Sequence, residues 1–545
     1  MEADGGVIVG VITEVEAATV FDPGNHSYQA IAHVDLTGEI IRAIDGRTTF
    51  RRGVRAHPAI GDEVCALTSE DLKVIYGSLR VRSIEIGTLA QDPSVPAYVD
   101  FDSLLAKHFA IVGSTGVGKS SGVAVLLNGM IRTDPSLRVL VLDAHNEYGR
   151  SFGSKAQVTG ADDLKLPFWM FNFEEMIDVI YGGRPPVTEE VDILAELIPL
   201  AKGMYQSYKN SSERTGISRR TPRGNNFTTD TPTPYLLQDL VGLIDERMGK
   251  LENRSSRMTY HRLMGRIEVL KNDPRYSFMF ENANVGGDTM AAVLGKLFRL
   301  DDDGKPVTVL RLASLPGEAV DAVVCVTLRL AFEFGLWSDG ALPLLVVCEE
   351  AHRYAAADHS VGFGPARRSL AKIAKEGRKY GVHLALVSQR PAELDPTIIS
   401  QCSTLFAMRM SNEQDLHLLR TAASDVASHL LEVVPSLGTG EVIGVGEAMP
   451  LPARMSFHLL ARDQVPCSDM GSHLPDAALL DRKTLVQNVV ERWRKAAVAP
   501  ALAEEETPPT APIVERSSIL KGPLAGSEGG GGSLLDQTRS SILRR

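Results

Sequence analysis

The sequence predicts an α/β protein: a mostly parallel sheet covered by helices on both faces, interrupted by a helical insertion and preceded by a small all-β barrel. Three patterns predict it. Continuous apolar runs (FAIVGS, RVLVLDA, VTVLRLA, LLVVCEE, HLALVSQ and TLFAMRM) alternate with helical stretches. Strands that are apolar on both faces belong to parallel sheets buried between helices. Helical sequence around the polar loop SSERTGISRRTPRGNNFTTDTPTP breaks that alternation. Near the start, short β-rich runs are separated by Gly, Asp, Asn and Pro at the spacing of a small barrel.

Taken in order, residues 1–95 are the predicted barrel, with VIVGVITEVEAATVF, QAIAHVDL, EIIRAI, DEVCAL and LRVRSIEIGTL as its strands. Residues 96–184 and 291–465 carry the alternating strands and helices of the core, and residues 185–290 are the helical insertion. Residues 466–500 contain one amphipathic helix, LLDRKTLVQNVVERWRKAA. Residues 501–545, rich in Pro, Glu, Gly and Ser, are expected to be disordered.

A chain of 545 residues is too long for one core, so two or three domains are expected. No run of eighteen apolar residues predicts a membrane span. The start, MEADGGVIVGVITEVE, has no basic segment of the kind that opens a signal peptide. Cys65, Cys325, Cys348, Cys402 and Cys467 are scattered and form no CxxC pair, which reads as reduced core thiols in a cytoplasmic protein. The net charge of −11 argues against a surface coated for nucleic acid, but leaves room for a narrow basic channel. Counterion release depends on the local cluster of Lys and Arg, not on the total.

The sharpest motif is Gly113-Ser114-Thr115-Gly116-Val117-Gly118-Lys119-Ser120, which matches GxxxxGK[ST] between a buried strand and a helix. Its glycines let backbone N–H groups turn inward around phosphate oxygens, and the helix N-terminus adds partial positive charge. Lys119 is expected on the β- and γ-phosphates and Ser120 on Mg²⁺, with Ser121 beside it. The implied ligand is ATP with Mg²⁺. The strand LLVVCEE ends in Glu349 and Glu350 at the edge where parallel sheets bind ligands. The first is expected to hold Mg²⁺ through water, the second to orient and deprotonate the attacking water. Ser388 or Gln389, ending HLALVSQ, is placed to sense the γ-phosphate. Asp143, His145 and Glu147 follow RVLVLDA at the same edge and read as a hydrogen-bonded site lining, since no second His or Cys cluster supports a metal. Arg378, in the basic helix RRSLAKIAKEGRKYG, is the candidate arginine finger acting on a neighbouring subunit. The loop Arg214–Arg223 offers four arginines, either for DNA phosphates or as a solvated segment.

GSTGVGKS, LDAHNEYG, VVCEEAHRY, KEGRKYG and LVSQRPAELDPTIISQC, in this order, resemble the HerA helicases of the FtsK–HerA branch of P-loop ATPases, over roughly residues 1–465. The resemblance implies a RecA-like core behind a HAS-barrel, assembled as a homohexamer that translocates double-stranded DNA at the expense of ATP. It carries over Lys119 and Ser120 as nucleotide ligands, Glu349 and Glu350 as the acidic pair, Gln389 as sensor and Arg378 as the trans-acting finger. It also calls for a second basic residue before the P-loop, for which Lys107 is the nearest candidate. It implies a separate effector chain, a nuclease or a Sir2-like NADase, in DNA end processing or anti-phage defence. The rival expectation is a ring that scaffolds an effector, with ATP as its gate. A conjugation ATPase is disfavoured by the missing membrane helices and by the barrel.

Overall fold

The computed structural model describes residues 2–467, interrupted by short stretches of which 213–226 is the longest, together with residues 486–491. The arginines of the loop Arg214–Arg223, the tail 501–545 and most of the expected C-terminal helix lie outside the described residues.

At the N-terminus, β1 (Glu2–Ala3), β2 (Gly6–Asp22), β3 (Asn25–Arg42) and β4 (Thr48–Arg52) form an antiparallel sheet in that order. It is compatible with a small β domain. Two features depart from the sequence expectation for residues 62–89. No strand forms over DEVCAL; instead a helix, Ser69–Tyr76, follows it. Thr68 and Asp71 make a reciprocal capping box there, and Leu72, Ile75 and Tyr76 bury one face at helical spacing. Farther on, β5 (Ser83–Leu89) and β6 (Pro96–Asp100) are strands of the core sheet.

β5 pairs antiparallel with β15 (Ala453–Phe457), Leu89 opposite Met455. The backbones approach so closely that a Cβ on Gly87 would lie 1.8 Å from the Ser456 carbonyl oxygen, which only glycine tolerates.

The remaining core strands are β7 (His108–Val112), β8 (Arg138–Asp143), β9 (Ala156–Thr159), β10 (Val307–Arg311), β11 (Leu344–Cys348), β12 (Val382–Ser388), β13 (Cys402–Met408) and β14 (Glu441–Gly446). The sheet runs β6-β5-β15-β14-β13-β7-β12-β11-β8-β10-β9. From β13 to β9 every pairing is parallel, so these strands end along one edge. Side chains alternate faces, as the pleat requires. Ala110, Val112, Leu140 and Leu142 join an apolar cluster with Val323 and Leu328 of the helix Gly317–Trp337. Phe109, Ile111, Val139 and Val141 join another with Val123 and Leu127 of the helix Lys119–Thr133. This two-sided burial, worth about 1.5–3 kcal/mol per large aliphatic side chain, explains why the strands read as unbroken apolar runs.

Between β9 and β10 the helices Phe173–Tyr181, Thr188–Ser212, Leu237–Gly249 and Arg254–Lys271 pack on one another, and the first of them packs on Gly317–Trp337. Among the described residues no helix is long and apolar enough to cross a membrane.

Candidate active site

The loop after β7 is the P-loop, and its shape follows from its glycines. Gly116 and Gly118 hold φ of +76° and +98°, a region that penalises any Cβ. The Gly113 N–H donates to the Ser388 carbonyl (3.2 Å) and the Ser114 N–H to the Arg409 carbonyl (2.9 Å), tying the loop to the ends of β12 and β13. Lys119 and Ser120 open the helix Lys119–Thr133, and half-buried Ser121 follows. The Lys119 ammonium donates to the Ser114 carbonyl (2.9 Å) across the loop, in the hollow the motif provides for phosphate. Burial lowers the Lys119 pKa, and the nearby Glu350, Glu349 and Glu147 carboxylates oppose that shift.

Four carboxylates converge on this hollow. Ser120 donates to Glu147 (2.6 Å). Asp143 ends β8 and is wholly buried, accepting the Glu147 and Tyr148 N–H groups at 3.0 Å each. In the parallel register Cys348 lies opposite Leu142, which brings Glu349 beside Asp143. Desolvation, then the neighbouring carboxylates, push the Glu349 carboxyl well above its ordinary range, and Asp143 is raised for the same first reason. Glu349 is 3 % exposed and its Oε2 has no hydrogen-bond partner. A buried orphan carboxylate oxygen beside a second carboxylate and a serine hydroxyl fits a hard divalent cation such as Mg²⁺.

Glu350 is 5 % exposed, and its backbone holds φ of +51°. That conformation costs a non-glycine residue roughly 1–3 kcal/mol and clusters at functional sites. Gln389 donates its amide to Glu350 Oε2 (3.0 Å) and accepts a hydrogen bond from the Thr115 hydroxyl. Glu350 is thereby wired to the P-loop through one side chain. His352 Nδ1 lies 3.4 Å from Oε2 and His145 Nε2 lies 3.4 Å from Oε1. Ser388, the other candidate sensor, is buried, and its hydroxyl accepts the Arg390 N–H (3.0 Å) and contacts His352 (3.2 Å).

The structure therefore gathers Thr115, Lys119, Ser120, Asp143, Glu147, Glu349, Glu350 and Gln389 at one edge. It does not bring Lys107 and Arg378 there. Lys107 immediately precedes β7 and pairs with Glu447 (2.6 Å). Arg378 precedes β12 and is exposed, near enough to His108, the first residue of β7, to depress that imidazole's pKa after desolvation does. Both cations sit at the start of adjacent parallel strands, about 15–20 Å of strand away from the nucleotide edge. Lys107 is thus not part of its own chain's phosphate site. Sequence reasoning assigned no role to His352 and did not see the Thr115–Gln389–Glu350 chain. VVCEEAHRY contained the histidine, but which atoms meet depends on the register of β11 against β12.

Residues 84–331, from β5 through the P-loop to the helix Gly317–Trp337, match the family model described as the central domain of helicase HerA. Over these residues the chain is similar to the HerA central domain. The relatives extend the likeness beyond it. The "DNA double-strand break repair helicase HerA" of Pyrococcus furiosus is 26% identical over 461 residues, covering 79% of this chain and 78% of that protein. Its namesake in Saccharolobus solfataricus is 28% identical over 411 residues, covering 74% and 71%. Among solved structures, VirB4 of Thermoanaerobacter pseudethanolicus aligns with a TM-score of 0.47 and 17% identity, covering 71% of this chain and 99% of that one. The core that carries this likeness is an ATPase core, with the half-buried P-loop lysine and the buried carboxylates of Glu349 and Glu350 at one edge of its sheet.

Proposed function

We propose that this chain is an ATP-driven translocase or helicase on double-stranded DNA. In this reading it works in the cytoplasm as a homohexameric ring with a separate effector chain, a nuclease or a Sir2-like NADase, in DNA end processing or anti-phage defence. The observation that carries the ring is the division of the catalytic set. The P-loop, the acidic pair and Gln389 lie at one edge of the sheet, while Arg378 lies at the other. A finger that cannot reach its own nucleotide serves the next subunit's, and head-to-tail contacts of this kind close into rings. The relatives named as DNA double-strand break repair helicases support DNA as the track.

Within each site Lys119 and the P-loop amides bind the phosphates of ATP. Ser120 and Glu349 would hold Mg²⁺, which would supply positive charge beside the phosphates. Glu350 accepts a proton from the attacking water. Gln389, bonded to both Thr115 and Glu350, senses the γ-phosphate and conveys its loss. Arg378 of the neighbouring subunit adds positive charge to the transition state, worth on the order of 10³-fold or more in turnover.

The test is hydrolysis by the full-length ring, alone and with its partner, on random duplexes across a salt series. The expected result is stimulation that ignores base sequence and declines steeply with salt, because contacts are to phosphate. Absence of both DNA binding and stimulation at low salt overturns the motor. The ring then stands as a scaffold in which ATP gates the effector.

A further inference from the structure

β8 and β11 are neighbours in the sheet, and each runs into a turn that contains a non-glycine residue at positive φ. In the β11 turn that residue is Glu350 itself; in the β8 turn it is Asn146, with φ of +56°. The β8 turn is tied down at both ends. Asp143 accepts the Glu147 and Tyr148 N–H groups, and the Asn146 side chain accepts the Ala313 N–H (3.3 Å). The two turns bring His145 and Glu350 face to face, Nε2 of the imidazole 3.4 Å from Oε1 of the carboxylate.

The two carboxylate oxygens have different surroundings. Oε2 is held by the Gln389 amide, with His352 3.4 Å away. Oε1 has His145 beside it, and the His145 side chain is 49% exposed. Contact at one oxygen leaves the carboxylate plane free to swing about its terminal bond, whose torsional well is broad. A second contact, from the opposite side, fixes the plane. We propose that His145 is a positioning residue for hydrolysis, orienting the Glu350 carboxylate toward the attacking water through Oε1. The inference rests on the assignment of Glu350 as the base.

The experiment is steady-state ATP hydrolysis by the full-length protein with DNA, alongside titration of a fluorescent ATP analogue. His145→Ala is expected to lower kcat about tenfold, with KM and analogue affinity unchanged, since misorientation of a reacting group by less than an ångström has effects of this order. His145→Gln, whose amide nitrogen reaches the place of Nε2, is expected to recover most of the loss. In a Glu350→Asp background, where the shortened carboxylate has already left the contact, His145→Ala is expected to add no further loss. Wild-type kcat in His145→Ala, a loss confined to KM or analogue affinity, a glutamine variant no better than alanine, or a full additional loss in the Glu350→Asp background each overturn the positioning role. Glu350→Gln is run in parallel. If it retains turnover, the base assignment has failed and not merely the part given to His145.

Discussion

Glu349→Gln is predicted to make the free protein more stable while removing its response to magnesium nucleotide. Glu349 is 3 % exposed, lies beside the buried Asp143 carboxyl, and has an oxygen without a partner. Leaving such a group unpaired costs about 1–3 kcal/mol, and the amide can donate to Asp143 instead. Unfolding a chain of 545 residues carries roughly 1 kcal/mol/K of entropy at the midpoint, so a gain of about 2 kcal/mol raises Tm by about 2 °C.

The pH dependence has a definite sign. A carboxyl whose pKa is raised in the folded state keeps its proton after the unfolded chain has lost one. Wild-type stability therefore falls as pH rises from the ordinary carboxylate range toward the raised value, and stays reduced above it. The advantage of the variant is absent near pH 4 and grows toward neutrality. The assay is thermal denaturation in EDTA between pH 4 and pH 8, repeated with Mg²⁺ and ADP. The wild type is expected to gain from Mg·ADP and the variant to gain much less. A variant no more stable than wild type in EDTA at neutral pH, or one with an undiminished Mg·ADP shift, refutes the reading of Glu349 as an uncompensated cation ligand.

Lys119→Ala is expected to weaken nucleotide binding more than tenfold by analogue titration. Glu350→Gln is expected to bind normally and lose turnover, since an amide accepts no proton from water. In the insertion, buried Lys202 donates to the carbonyls of Thr229 (2.6 Å), Thr231 (2.7 Å) and Thr228 (3.3 Å). Lys202→Met strands those acceptors and is expected to cost about 3 kcal/mol in urea denaturation, without altering affinity for nucleotide.

The P-loop was legible in the sequence because its chemistry is local: eight consecutive residues supply the glycines, the lysine and the serine. The parallel core was legible because strands buried on both faces cannot alternate with polar residues. The strand β5 was visible as a segment but not as a partner of β15, since nothing in SIEIGTL names residues so distant along the chain. The helix Ser69–Tyr76 is hard to see in the sequence because DEVCAL and its neighbours are β-rich in composition, and its local mark is the capping pair Thr68–Asp71. The ligands of Glu350 were hidden for a related reason. His145 and Gln389 come from the ends of β8 and β12, and only the register of those strands against β11 brings them to the Glu350 carboxylate, which His352 meets from its own turn. The distance of Lys107 and Arg378 from their own nucleotide edge, in contrast, follows from sequence order alone once the strands are parallel, because both residues precede the strands whose far ends carry Gly113 and Gln389.

The central claim, that each site is completed by the next subunit, is tested most directly by mixing two inactive proteins. Arg378→Ala keeps Glu350 and lacks the finger; Glu350→Gln keeps the finger and lacks the base. In randomly mixed rings at equal amounts, about one interface in four pairs an intact Glu350 with an intact Arg378. The account predicts that hydrolysis reappears on mixing, up to about a quarter of the wild-type rate. No recovery, with subunits shown to exchange, contradicts it.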